Sequence, residues 1–243
     1  MTATPPDLPA DAALFLDFDG CLVEIAPRPD AIVVPDTLPA LLAGLHRRQG
    51  GAVALVSGRD VADLRRYLPD FPGAIAGSHG AEIAWQGAPP DPVETGGLDA
   101  TALHARVRDL AAHDDRLLVE PKPHGVVLHY RAAPDLAEWV DRTMGELASH
   151  YPALALQPAK MAMELRPKSA GKDRALSRLM QAPDFAGRIP VYAGDDLTDE
   201  AAMAEAQSRG GFAIKIGAGP TVARHRLPDP AALARWLAAA LPC

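Results

Sequence analysis

Two carboxylates, Asp17 and Asp19, follow the apolar run Ala13-Leu14-Phe15-Leu16 and lead into a turn at Gly20. Four apolar residues in a row read as a buried strand, so the two acids stand at its carboxyl end. Like charges ~4 Å apart repel by roughly 4 kcal/mol in a partly screened site. A divalent cation or a protonated partner relieves that repulsion, and either suits a reacting centre. Taken alone, the pair reads equally well as a turn cap beside a solvated neighbour.

Two more polar clusters follow apolar runs. Ser57-Gly58 comes after Ala52-Val53-Ala54-Leu55-Val56, and Gly194-Asp195-Asp196, with Asp199 close behind, comes after Ile189–Ala193. In an open α/β sheet, ligands bind outside the carboxyl ends of the strands, so parallel strands would bring all three clusters to one edge. Each has a structural alternative: Ser57 as a helix cap, Gly58 as a turn, Asp199 as a first-turn helix acid. With Lys172 opening a further helix, the set suits phosphoryl transfer. Carboxylates bind Mg²⁺, which keeps waters and accepts a phosphate oxygen. The Ser57 hydroxyl and Gly58 N–H can hold a phosphate, and Lys172 supplies a compact positive charge. One carboxylate can act as nucleophile, and a second can protonate the leaving oxygen and then activate water.

The elements that must position these residues alternate. Strands are expected at Ala13–Leu16, Ala52–Val56, Ala74–Ala76, Ile189–Ala193 and Phe212–Ile216. Helices are expected from about Asp36 to Arg48, after Asp60, from Lys172 to Gln181, from Thr198 to Ser208 and from Pro230 to Ala240. Strand–helix alternation of this kind implies a mostly parallel sheet covered by helices. Residues 1–11 read as a loose arm, and Ala81–Glu94 as a hairpin. Between Leu98 and Arg166 the pattern becomes helix–strand–strand–helix–strand–strand, an inserted open-faced α/β module. The division expected is therefore a core of residues 1–97 and 167–243 around an insert of 98–166.

Composition narrows the function further. The chain has 243 residues, 48% of them hydrophobic and 23% charged, as in an ordinary globular protein. A formal net charge of −7 without a Lys/Arg run argues against a nucleic-acid surface. No basic leader and no apolar run near ~20 residues is found, and Cys21 and Cys243 have no ligand spacing. A reduced, cytoplasmic protein without disulfide or zinc is expected.

The motifs then meet a known pattern. Asp-Phe-Asp-Gly (17–20), Ser57, Lys172 and Gly-Asp-Asp-Leu-Thr-Asp-Glu (194–200) resemble the four motifs of haloacid dehalogenase (HAD) superfamily phosphatases. Gly-Ser-His-Gly-Ala-Glu (77–82), Glu-Pro-Lys (120–122), His-Tyr-Arg (129–131), Glu-Leu-Arg-Pro (164–167) and Gly-Lys-Asp (171–173) are similar to those of trehalose-6-phosphate phosphatases. The resemblance runs from Ala13 to about Gly217. It implies a HAD-like doubly wound parallel core with a small inserted cap, and Mg²⁺-dependent hydrolysis of trehalose 6-phosphate through an aspartyl-phosphate.

By the resemblance, Asp17 is the nucleophile, and Asp19 is the general acid/base that also offers its backbone carbonyl to Mg²⁺. Asp195 completes the metal site, with Asp196 in it and Asp199 just behind. Ser57, Gly58 and Lys172 hold the phosphoryl group, while Glu120, Lys122, Lys160 and Glu164 grip glucose hydroxyls. From the residues alone, Lys160 and Glu164 read as a solvated pair on one strand. Many members carry Thr where this chain has Cys21, which makes that thiol a candidate for oxidative inactivation. The resemblance also implies a functional link to a trehalose-phosphate synthase. The alternatives are another sugar-phosphate phosphatase, such as one for sucrose phosphate, and a non-catalytic sugar-phosphate sensor.

Overall fold

A computed structural model describes residues 3–26, 28, 31–91 and 97–242. In chain order the elements are β1 (Ala12–Leu16), α1 (Leu38–Arg48), β2 (Val53–Val56), α2 (Val61–Tyr67), β3 (Ala74–Gly77), β4 (Glu82–Ala84), α3 (Ala100–Ala111), β5 (Leu118–Lys122) and β6 (Gly125–His129). Then come α4 (Ala137–Ser149), β7 (Leu154–Ala159), β8 (Ala162–Pro167), α5 (Lys172–Leu179), β9 (Ile189–Gly194), α6 (Glu200–Ser208), β10 (Phe212–Ile216), β11 (His225–Leu227) and α7 (Pro230–Ala239). The chain divides into two compact units, Met1–Asp91 with Gly171–Cys243, and Pro92–Ala170. The sequence reading put the changes of unit after 97 and after 166.

The first unit is built on a seven-stranded sheet of order β11-β10-β9-β1-β2-β3-β4. Every pairing is parallel except β3 with β4. Alternation along each strand splits the core between the two faces. Leu14, Leu16, Val53, Leu55 and Ile214 pack under α1, α2 and α7, whereas Phe15, Ala54, Val56, Tyr192 and Ala213 pack under α5 and α6. Burial of both faces is why these strands read as continuous apolar runs. β1 lies between β2 and β9, with Leu16 level with Leu55 on one side and Ala193 on the other. Strand order reverses there, and residues that follow these three strands share one edge.

One expectation is corrected, one is met in part, and one element is new. Residues 3–11 are pinned rather than loose. Ala3 exchanges backbone hydrogen bonds with Arg224 and Arg226, the Trp236 indole donates to the Pro6 carbonyl, and the Gln49 amide donates to that of Pro9. The expected hairpin over Ala81–Glu94 is present in short form: β4 returns against β3, and Ile83 bridges antiparallel to Asp91 across a turn at 85–88; Glu94 lies outside the described residues. The short edge strand β11 had no expected counterpart. Among the described residues, no helix is long and apolar enough to cross a membrane.

The second unit is a four-stranded antiparallel sheet of order β5-β6-β8-β7. Leu103 and Val107 of α3, with Val140, Met144 and Leu147 of α4, cover one face, meeting Val126, Leu128, Met163 and Leu165. The pleat sends the intervening residues to the opposite face.

Candidate active site

The strand ends of the first unit carry a buried charge cluster. Asp17 follows β1 directly, and its backbone N–H donates to the Ala193 carbonyl at 2.9 Å, tying it to β9. Lys172, the first residue of α5, reaches in with Nζ 3.0 Å from Asp17 Oδ1 and 2.7 Å from Asp199 Oδ1. All three side chains are nearly inaccessible. Gly20, at φ +74°, lets the chain fold tightly over this cluster: a Cβ there would stand 2.1 Å from Asp195 Oδ2. Glycine in the Asp-Phe-Asp-Gly motif is thus required by both backbone and space.

Carboxylate oxygens of Asp17, Asp195 and Asp199 lie within 4.8 Å of one another. They are not equivalent. Asp199 Oδ1 accepts from Lys172 Nζ and from the Tyr192 hydroxyl, each at 2.7 Å, and its Oδ2 accepts from the backbone N–H of Asp195 at 3.1 Å and of Asp196 at 3.0 Å. A carboxylate offers about four lone-pair sites, so Asp199 is saturated. Its part is to fix Lys172 and the 195–196 turn. Asp17 and Asp195 keep oxygens for a ligand.

Electrostatics separates them in the same way. Burial raises the Asp17 carboxyl well above its usual range, Asp199 pushes it further, and Lys172 only partly offsets both. Asp195 is raised to about 6 by burial and by Asp199 and Asp196. Asp199 itself is lowered: burial opposes its charge, but Lys172, Tyr192 and the backbone N–H donors outweigh it. Lys172 stays firmly protonated despite burial because Asp17 and Asp199 flank it. Hard oxygen donors crowded to this degree fit a divalent cation.

Asp19 and the loop after β2 are joined. Arg59 Nε donates to Asp19 Oδ2 at 2.6 Å and Nη2 to Asp19 Oδ1 at 2.9 Å, while Nη1 reaches Asp63 at 2.6 Å. Ser57 Oγ accepts the Arg59 N–H at 3.1 Å, which leaves its own O–H proton to donate. Arg59 was not among the expected site residues, although it stands within Ser-Gly-Arg. Tyr192 was also missed, because a buried strand tyrosine has no local signature.

Asp196 departs from expectation. It is exposed and caps the following turn, with Oδ1 accepting the Leu197 N–H at 2.7 Å, and it stands outside the carboxylate cluster. Cys21 departs too. Its thiol is fully buried and raised, first by burial and then by Asp17 and Asp199, the opposite of a reactive thiolate. Cys243 lies outside the described residues.

In the second unit, register assembles a row across the sheet face opposite α3 and α4. Glu120 pairs with Val127, Val127 with Glu164, and Glu164 with Gln157. Lys122 Nζ lies 2.5 Å from Glu120 Oε1, and His129 Nε2 lies 2.7 Å from Oε2. Lys160 sits in the turn between β7 and β8 rather than on a strand, and it is exposed. Glu164 is 7% exposed, so the two are not a solvated strand pair.

This fold is that of the haloacid dehalogenase-like hydrolases. A Bacillus subtilis protein of that description superposes with a TM-score of 0.67 at 14% identity, over 94% of this chain and 99% of that one. A solved structure described as a trehalose-6-phosphate phosphatase related protein superposes more closely, with a TM-score of 0.78 and 26% identity over 93% and 95% of the two chains. The sequence profile of the trehalose-phosphatase family matches residues 15–230. The chain is 35% identical to the trehalose-6-phosphate phosphatase of Escherichia coli K12 over 232 residues, 96% of this chain and 87% of that protein. It is 41% identical to the probable trehalose-phosphate phosphatase of Sinorhizobium fredii NGR234 over 215 residues, 84% and 77% of the two. The chain belongs to the trehalose-phosphatase family.

Proposed function

We propose that this chain hydrolyses trehalose 6-phosphate to trehalose and phosphate through an aspartyl-phosphate on Asp17. The observation that carries this reading is the Asp17–Lys172–Asp199 arrangement, with Lys172 Nζ 3.0 Å from Asp17, in a chain of the trehalose-phosphatase family. Lys172 favours the ionised form of Asp17, partly offsetting burial, and aims it, because Asp199 holds the ammonium from the far side. An Asp17 oxygen attacks phosphorus as the sugar oxygen leaves, and Asp19, protonated after release from Arg59, gives that oxygen its proton. Asp19, now a carboxylate, takes a proton from water. The water oxygen attacks phosphorus, the bond from Asp17 to phosphorus breaks, and phosphate leaves with Asp17 restored as a carboxylate.

Ser57 O–H and Gly58 N–H hold the phosphoryl oxygens beside Lys172. Mg²⁺ would be held by the Asp17 and Asp195 carboxylates and the Asp19 main-chain carbonyl. Bound there, it supplies positive charge to the phosphoryl oxygens. The second unit acts as a cap whose Glu120, Lys122 and Glu164 hydrogen-bond sugar hydroxyls, with Lys160 joining from its turn. The substrate's supplier is a trehalose-phosphate synthase. Phosphate release from trehalose 6-phosphate, with and without Mg²⁺ after chelation, tests the reading. Metal-dependent release is expected, and no release under either condition would overturn it.

A further inference from the structure

The loop that follows β3, Gly77-Ser78-His79-Gly80-Ala81-Glu82, has no part in the chemistry described above, yet its backbone is unusual. Ser78 at φ +49° and His79 at φ +56° are consecutive non-glycine residues in the left-handed region. That region is disfavoured for L-residues, and paired occurrences persist only where the surroundings impose them. Ser78 does not account for the conformation, since its Oγ is buried without a hydrogen-bond partner.

What the conformation achieves is contact with both phosphoryl-holding elements. The His79 N–H donates to the Ser57 carbonyl at 2.9 Å, and the Ser78 N–H donates to the Arg59 carbonyl at 2.7 Å. Glu82 Oε2 accepts the Val61 N–H at 2.9 Å, holding the far end of the same stretch. The His79 ring lies directly on Gly58: a Cβ there would be 2.8 Å from both its Cε1 and its Nε2. On the other side, Gly80, at φ +87°, approaches the start of α5. A Cβ on Gly80 would stand 2.7 Å from the Gly171 carbonyl oxygen and 2.7 Å from Ala175 Cβ. Lys172 is the residue after Gly171.

We propose that His79 is a positioning residue for phosphoryl binding: its imidazole, laid against Gly58, fixes the Ser57–Gly58 backbone, and its loop keeps that backbone in step with Lys172. This rests on the reading of Ser57, Gly58 and Lys172 as the phosphoryl-holding groups. Because the ring acts through the loop and not on the sugar, its loss should weaken every phosphate ligand alike.

Two variants separate the ring from the backbone strain. His79→Asn keeps a residue tolerant of the left-handed region, and His79→Gly removes both ring and strain. For each, KM is measured for trehalose 6-phosphate and p-nitrophenyl phosphate, together with the inhibition constant of inorganic phosphate and the melting temperature. All three constants should rise together, roughly tenfold, with kcat less affected and melting little changed. Unchanged phosphate inhibition in His79→Gly would overturn the proposal. So would a rise confined to trehalose 6-phosphate, since the ring would then be touching sugar. Ser57→Ala run in parallel tests the underlying reading: wild-type phosphate inhibition in that variant would remove the reading, and the His79 proposal with it.

Discussion

Two sets of charged side chains, one behind the strand ends of the first unit and one across the sheet face of the second that lies opposite its helices, use the same residue types to different ends. In the first, Asp17, Lys172 and Asp199 are sealed from water, and Asp199 takes four donors. In the second, Glu120 is about a third exposed and shares its oxygens between Lys122 and His129. Burial is the difference that matters. A sealed cluster cannot lose its shared cation without leaving uncompensated charge, whereas water can reach the partly exposed Glu120 in place of a missing partner. Damage to the first set should therefore reach turnover, and where the shared cation is lost it should reach the fold as well. Damage to the second should reach selectivity alone.

The largest expected effect is on turnover. Asp17→Asn removes the nucleophile while Lys172 retains Asp199, so the fold should survive. Phosphate release should fall by on the order of 10⁴-fold or more, as when other nucleophiles are deleted. Substantial activity in the Asn variant would take Asp17 out of its role. Lys172→Met tests the sealed set from the other side. It leaves Asp17 and Asp199 facing each other without their shared cation, at a cost of roughly 3–5 kcal/mol. Urea unfolding should register that loss, and adding Asp17→Asn to it should restore part. A Met variant as stable as the parent would mean that the cluster does not depend on its lysine.

The two sets also differed in how far they could be read from sequence. Asp17, Asp195 and Lys172 each stand at the end of an apolar strand or the start of a helix, so local pattern and parallel topology together put them on one edge. Asp199 is different: it accepts from Lys172, from the Tyr192 hydroxyl of the preceding strand β9 and from two backbone N–H groups of a tight turn, none of which local pattern shows. Arg59 likewise gains meaning only once α2 and the Asp17–Gly20 turn are folded against each other. In the second unit nothing local marks the row. Glu120, Glu164 and Gln157 come from three strands whose alignment depends on register, so the family motifs named two of them while periodicity left Glu164 as a solvated charge. The edge strand β11 is three residues long, too short for any period.

Selectivity is the next effect in size. Glu164 faces the side of the sheet opposite α3 and α4, level with Glu120 across the β6 strand. If it accepts a charge-assisted hydrogen bond from a sugar hydroxyl, Glu164→Ala should cost roughly 1.5–3 kcal/mol. That is about a ten- to hundredfold loss in kcat/KM for trehalose 6-phosphate. Hydrolysis of p-nitrophenyl phosphate, which has no sugar to contact, should change little. Equal losses on both substrates would assign Glu164 to the fold of the second unit and not to recognition.

The smallest expected effect is a pH dependence confined to the open row. Burial opposes charge on Glu120, yet the His129 hydrogen bond and the Lys122 ammonium prevail and lower its carboxyl from 4.5 to about 2. A carboxyl depressed on folding contributes stability that is fully present above its unfolded value, here 4.5, and is lost as pH falls toward about 2. Glu120→Gln removes the titrating group and should abolish that component. The stability difference between parent and Gln variant, followed by urea unfolding, should therefore narrow from about pH 5 to about pH 3. Because half-screened pairs contribute little, the change should be small beside that of Lys172→Met. A difference that stays constant over this range would mean that Glu120 is no better paired in the folded chain than in water. The open row would then hold no organised carboxylate ready to meet a sugar, and the contrast between the two sets would reduce to a reactive core and a passive cover.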